Sequence, residues 1–254
     1  MSNMIFGDDN LLLDADLSIV SGTADAQFPL DNIKHPFTTK VFRSTGASCS
    51  ILIDLQSIQA VDLICIKGSS VDGLGFTSAT IEGSASPVFS GTPVSIDINT
   101  VNSFAFKELI SSSFRYWRLV LTASSYVEVS NVYLGLKTQM STNNLNMGFV
   151  YSLNTNNKIT KNAYGQRFID TYNSIKTISG DVKYVNTAEF DILNDIHLNH
   201  GENTPLWFIL DSDGAIGVTD SKYMFSGIFY MKDLVWKNLS PGLWDVNIQL
   251  EEAM

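Results

Sequence analysis

Through residues 1–135 the chain reads mainly as short strands and turns, many of them with partly alternating apolar residues, and no long amphipathic helix interrupts them. Ile51, Ile53 and Leu55 share one side of the run 50–55. Further strands are expected at 60–67, 77–82, 94–98, 114–121 and 126–133, rich in Val, Ile, Thr and aromatic residues. Gly68, Ser69, Asp72, Gly73, Gly75, Gly91 and Pro93 punctuate them. Many short strands at this spacing predict a β-sandwich.

The second half follows a different regime. A polar passage begins near 136–145, where we place the boundary between a first domain, 1–140, and a second, 141–254. The polar run 154–157 suggests a hairpin turn between strands 149–153 and 158–161. Strands are also expected at 167–171, 174–178 and 181–186. A helix then opens at Thr187, expected to cap it, with Phe190, Leu193 and Ile196 or His197 as its apolar stripe and Gly201 as its stop. Extended structure resumes at 205–211, turns at Asp213-Gly214, and continues through 223–232, 234–238 and 243–250, with Pro241-Gly242 as the last turn. The expected class is mostly β with a smaller α+β part.

Composition narrows the function. The 254 residues include 26 acidic and 16 basic side chains, a net charge of −10 shared equally by the two halves. No basic footprint marks a nucleic-acid surface, so no direct nucleic-acid contact is expected. No apolar run approaches the roughly 20 residues of a membrane span, and no basic region precedes the short Leu run at the start, so neither membrane insertion nor a secretory signal is expected. The two cysteines, Cys49 and Cys65, read as buried thiols.

Chemical motifs are sparse. His197 and His200 have the i,i+3 spacing that can place two imidazoles on one side of a helix, with Asp191 and Asp195 nearby, but a helix-end role fits them better. The run 211–215 begins like a calcium loop, yet Lys222 stands where the bidentate Glu belongs. Asp8, Asp9, Asn10, Asp14 and Asp16 leave weak structural cation binding open; otherwise no cofactor and no metal is expected. The glycines of 68–75 lack a Walker lysine and dinucleotide spacing, and there is no GxSxG or HExxH. No catalytic residue is assigned, and an enzyme is not expected. In the segment 114–121, Trp117, Leu119 and Leu121 alternate onto one side with Arg115, as a sheet core or as a face for a glycan or protein. Arg43 is placed to brace the sandwich through an early carboxylate.

Residues 25–135 resemble galactose-binding-like, or discoidin-like, jelly rolls of the kind embedded in phage tail proteins. The pieces are Phe28-Pro29-Leu30-Asp31-Asn32-Ile33, Phe42-Arg43-Ser44, Ile51-Leu52-Ile53-Asp54-Leu55, Phe114-Arg115-Tyr116-Trp117-Arg118-Leu119 and Val129-Ser130-Asn131-Val132-Tyr133-Leu134-Gly135. The terminal disulfide of secreted discoidin domains is absent. Residues 148–250 resemble a domain of phage distal-tail or baseplate-associated proteins, through Tyr164-Gly165-Gln166-Arg167-Phe168, Thr187-Ala188-Glu189-Phe190-Asp191-Ile192-Leu193 and the run from His200 to Asp211.

The resemblance implies a structural protein of a virion tail or baseplate, made in the host cytoplasm. Its partners would be copies of itself and other tail or baseplate proteins, in a ring or hub. Tyr151, Phe168, Phe229 and Trp236 are the candidate interface anchors. The alternative is a carbohydrate-binding accessory or host-receptor recognition protein.

Overall fold

The computed structural model describes residues 4–35, 39–68, 75–99, 103–140, 149–155, 158–161, 167–170, 174–201, 203–210 and 226–253. The turns expected at 69–74 and 213–214, the 211–215 loop and residues 164–166 lie outside the described residues. The chain divides into two compact units. One comprises 1–140 with 206–228; the other comprises 141–205 with 229–254. The segment 206–228, assigned to the second domain from sequence, thus lies with the first half.

The first unit contains β1 (Ile5–Gly7), β2 (Asp16–Ser21), β3 (Phe42–Arg43), β4 (Ser48–Lys67), β5 (Ser78–Ser84) and β6 (Val94–Ser95). It continues with β7 (Asp97–Asn99), β8 (Phe104–Thr122), β9 (Glu128–Val129), β10 (Asn131–Gly135) and β11 (Thr138–Gln139). The second unit contains β12 (Val150–Thr155), β13 (Lys158–Lys161), β14 (Arg167–Asp170), β15 (Ser174–Asn186) and α1 (Thr187–Asn199). After these come β16 (Leu206–Ile209) in the first unit, then β17 (Ser226–Ser240) and β18 (Leu243–Glu252).

Two long strands build the sandwich. Residues 48–54 of β4 and 116–122 of β8 pair with each other and, on their outer sides, with β2 and β5; β6 follows β5. Residues 63–67 of β4 and 104–108 of β8 pair again, now flanked by β10 and β7. The runs expected as separate strands at 50–55 and 60–67 are therefore one bent strand. The bend occurs where residues 55–58 stand opposite Arg115 alone, with Gln56 at φ 64° and its amide donating to Asp54 Oδ1 at 2.9 Å. Bends of this kind let one strand serve two layers of a sandwich.

The core lies between the layers. Ile51, Ile53, Leu119 and Leu121 from one layer join Ile64, Ile66, Val132 and Leu134 from the other in a single buried cluster. Trp117 is 3% exposed and belongs to the same core. The outer face of the second layer is also apolar. The strands β11, β1 and β16, neighbours in that order, lie against it, bringing Trp207 to 5.5 Å from Phe104 and 6.3 Å from Tyr133, ring centre to ring centre. These contacts place β16 within the first unit.

In the second unit the strand order is β17-β18-β15-β12, all antiparallel. Val182, Val246, Ile248 and Leu250 are buried, as are Leu193 and Ile196 of α1. Phe190 lies 4.0 Å from Trp236 and 4.7 Å from Trp244. The stretches 174–178 and 181–186 form one strand with an irregularity between Val182 and Val185. The hairpin expected between 149–153 and 158–161 does not form. β12 pairs with β15, and β13 pairs with β14. The helix is capped one residue earlier than expected. Asn186 accepts from the Glu189 amide, and Glu189 accepts from the Asn186 amide, a reciprocal box that Thr187 cannot make from inside the helix.

Candidate functional site

The cleft of the first unit originates in a local mismatch between β4 and β8. Leu109, Ile110 and Ser111 of β8 stand opposite Asp62 alone, between the pairs Glu108–Leu63 and Ser112–Val61. The extra residues push the strand outward, as bulges do. A cleft of about 540 Å³ opens beside them, within the range of small-ligand sites. It is lined from β8 by Lys107, Glu108, Ser112, Phe114 and Trp117, and from β5, β6 and the segment between them by Ile81, Glu82, Thr92 and Val94.

Aromatic rings supply the apolar wall. Phe114 meets Trp117 edge-on at 5.7 Å between centres. Gly83 makes this arrangement possible, because a Cβ there would collide with the Phe114 ring. The indole N–H of Trp117 is buried without a hydrogen-bond partner among the described residues. Ile110, also lining the cleft, is 92% exposed.

The carboxylates of the cleft are charge-compensated. Glu82, only 5% exposed, accepts from Arg118 Nη2 at 2.6 Å and from the Gly91 amide at 2.6 Å. Glu108 pairs with Lys137, whose amide also donates to Asp62 at 2.6 Å. The Arg118 guanidinium lies 4.7 Å from the centre of the Phe89 ring. A neutral polar ligand with one apolar face would meet aromatic carbon on one side and paired carboxylates and hydroxyls on the other.

A second polar cluster ties loops together. Arg43 Nε donates to Glu128 at 2.7 Å, with Nη2 on the same carboxylate oxygen. The guanidinium lies 4.4 Å from the Phe28 ring centre and 4.7 Å from that of Tyr126. The hydrogen bond to Glu128 holds Arg43 above its ordinary pKa. Arg43 thus braces the sandwich, as expected, but its partner is the late carboxylate Glu128 and not an early one. Alternation could not reveal this, because the pairing joins residues 85 apart.

The other sequence candidates separate. Asn10, in the acidic start, is a structural bracket: it accepts from the Leu12 and Leu134 amides and donates to the Val132 carbonyl. Asp8 accepts from Thr138. His200 caps the C-terminus of α1 through its amide to Ile196, and Gly201 follows with φ +47°. Among the described residues no group of three His, Cys, Asp or Glu is placed to hold a metal ion. Cys49 and Cys65 are free and buried, and burial pushes the Cys49 thiol up to about 11 and the Cys65 thiol well above its ordinary value.

The four candidate anchors have different surroundings. Tyr151 is half-buried on β12, opposite Ile178, and burial raises its hydroxyl pKa. Trp236 is half-buried, with its ring tilted against that of Phe190. Phe229 has no exposed surface; it fills core space and offers nothing to a partner. The backbone of Phe168 pairs with Thr160 in the β13–β14 hairpin, and its side chain lies outside the description.

Glu82, Thr92, Lys107, Glu108 and Ser112 were not singled out from sequence. The one local signal was a lone acid, Glu82, beside Ile81 in a strand. Both residues are buried, so alternation does not distinguish them.

No protein-family model and no curated protein matches the chain. Solved structures similar to about half of it include a fucose binding module of Streptococcus pneumoniae, at 11% identity over 51% of this chain and 96% of that one, TM-score 0.44. CBM32-5 of a Clostridium perfringens protein, in complex with GalNAc-beta-1,3-galactose, matches at 10% identity over 50% and 100%, TM-score 0.43. The lectin binding domain of Lectinolysin, complexed with Lewis b, matches at 9% identity over 50% and 94%, TM-score 0.44.

Proposed function

We propose that this chain is a saccharide-binding protein without turnover, and that the cleft beside the β8 bulge is its site. The observation that carries this reading is the joining of an aromatic wall, Phe114 and Trp117, to a rim of paired carboxylates and hydroxyls in one cleft. A pyranose has one face of C–H bonds and an equator of hydroxyls. The first needs aromatic carbon; the second needs hydrogen-bond partners, or its desolvation opposes binding. Titration calorimetry against a panel of neutral mono- and oligosaccharides tests it. Saturable binding is expected, weakened roughly tenfold or more by Phe114→Ala, a loss on the scale of one aromatic contact and its buried area. Absence of saturable binding across the panel, or full affinity in Phe114→Ala, refutes the assignment.

A second reading places the protein in a virion tail or baseplate, in contact with copies of itself and neighbouring tail proteins. What supports it, beside the resemblance of 148–250 to distal-tail proteins, is the end strand of the second unit's sheet. β12 closes the strand order and exposes 60% of Val150 and 57% of Leu153. An end strand with apolar side chains is a template for pairing with another chain. Tyr151 is a candidate anchor on the same strand; Trp236, on β17, belongs to a different surface. Incorporation of a Val150→Lys/Leu153→Lys variant into particles, at the wild-type level and with folding retained, would refute the role of this strand.

A further inference from the structure

We propose that Glu82 is a positioning residue that latches the 85–93 loop and thereby sets the width of the cleft; the proposal rests on the saccharide reading of that cleft. The loop joins β5 to β6, and Ala85, Ser86, Pro87, Val88 and Ser90 are exposed. Its own hydrogen bonds are local, linking Ser84, Ser86 and Val88 to one another. Nothing in those bonds holds the loop against the sandwich. Two contacts do. The Gly91 amide donates to Glu82 Oε1 at 2.6 Å, and the Phe89 ring lies beneath the Arg118 guanidinium at 4.7 Å. Both contacts converge on one ion pair, because Arg118 donates to the other oxygen of Glu82 at 2.6 Å.

The closeness is tight enough to be specific. A Cβ at Gly91 would stand 3.0 Å from Glu82 Oε1, so the loop backbone passes directly over the carboxylate. Beyond this point Gly91, Thr92 and Val94 line the cleft together with Phe114 and Trp117. Glu82 itself is 5% exposed, anchored in β5 opposite Arg118 of β8. A charge buried this deeply is held in place by its partners and moves only with them. Val94 is held by its pairing with Ile81 of β5; the Gly91–Thr92 part of the wall is tied to the sheet through Glu82 and its partner Arg118. Loss of the latch frees the loop on the timescale of local opening, and the ligand must then order it again on binding.

Two measurements on the full chain test this. Hydrogen exchange of the free protein reads the Gly91 amide without any ligand. Glu82→Ala is expected to speed that exchange roughly ten- to hundredfold, the scale of a lost hydrogen bond to a charged group. Glu82→Gln can keep an acceptor for Gly91 but then turns its NH2 toward Arg118 and loses the ion pair, so its exchange is expected between wild type and Glu82→Ala. Phe89→Ala leaves the carboxylate paired, and gives a smaller acceleration even where Glu82→Ala does not fold. Saccharide affinity should fall in the same order, with Glu82→Gln between wild type and Glu82→Ala. Unchanged Gly91 exchange in every folded variant overturns the latch. Faster exchange with unchanged saccharide affinity overturns its role in positioning. Should the wild-type protein bind no saccharide, the function assigned to the cleft fails by itself. Acrylamide quenching, with Trp117→Phe as the subtraction control, then reads the cleft width directly: more quenching of Trp117 in the variants supports the latch, and equal quenching overturns it.

Discussion

Glu128→Ala isolates the contribution of the Arg43 bracket to stability. Glu128 is 2% exposed and accepts from two nitrogens of Arg43, while Phe28 and Tyr126 flank the guanidinium. The same residues tie three chain segments together, through Asp25 N to Arg43 O at 2.8 Å, Arg43 N to Phe28 O at 3.1 Å and Ser44 N to Val127 O at 2.9 Å. Breaking a fully buried ion pair costs about 3–5 kcal/mol. The Arg43 side chain is 29% exposed and can recover some hydration, which lowers the expectation to about 2–3 kcal/mol. For a chain of this length that corresponds to a fall in Tm of about 5–10 °C. Urea denaturation followed by circular dichroism measures the loss for Glu128→Ala, Arg43→Met and the double variant. Because the double variant leaves no unpaired charge, it should lose at least ~1 kcal/mol less than the sum of the singles. Coupling below about 0.5 kcal/mol would refute the bracket and assign the loop geometry to backbone pairing alone.

The Arg115 hydrogen bonds hold the Asp54 carboxyl below its ordinary value of 3.8, so the pair stabilises the fold above that pH and loses its effect as pH falls through the lower folded value. Arg115→Gln should therefore lower stability near neutral pH by an amount that shrinks as the pH is taken down through the acid range, as measured by urea midpoints; a deficit that does not change with pH would refute the assignment. Neither Cys49 nor Cys65 should react with Ellman's reagent until the chain unfolds, since both are buried and their thiolates are disfavoured. Asn186→Ala removes the α1 cap and should cost about 1 kcal/mol in chemical denaturation, with Asn186→Asp close to wild type. A 1–140 fragment lacks Trp207 and Phe208, which cover Phe104, Tyr133 and Phe6, and should bind the dye ANS more strongly than the intact chain.

Alternation along 114–121 put Trp117, Leu119 and Leu121 on one side, because a strand has a side-chain period of two; the tertiary structure decided that this side is the core. It also located most strands of the sandwich, and the apolar stripe of α1 located the helix. The jelly-roll-like β-sandwich was legible for the same reason: many short strands must pack face to face to bury their apolar sides. What local pattern could not reveal was the partner of each strand. The order β12-β15 in place of a 149–161 hairpin, and the departure of 206–209 to cover the outer face of the sandwich, depend on contacts between residues far apart in the chain. The cleft depends on them too. It exists because three residues of β8 oppose one of β4, and because Glu82, Gly91 and Arg118 converge from three segments. A pairing mismatch and a carboxylate with two distant partners leave no periodic trace in sequence. Local side-chain chemistry determined which residues were apolar enough to form the layers; only tertiary pairing decided where those layers part to admit a ligand.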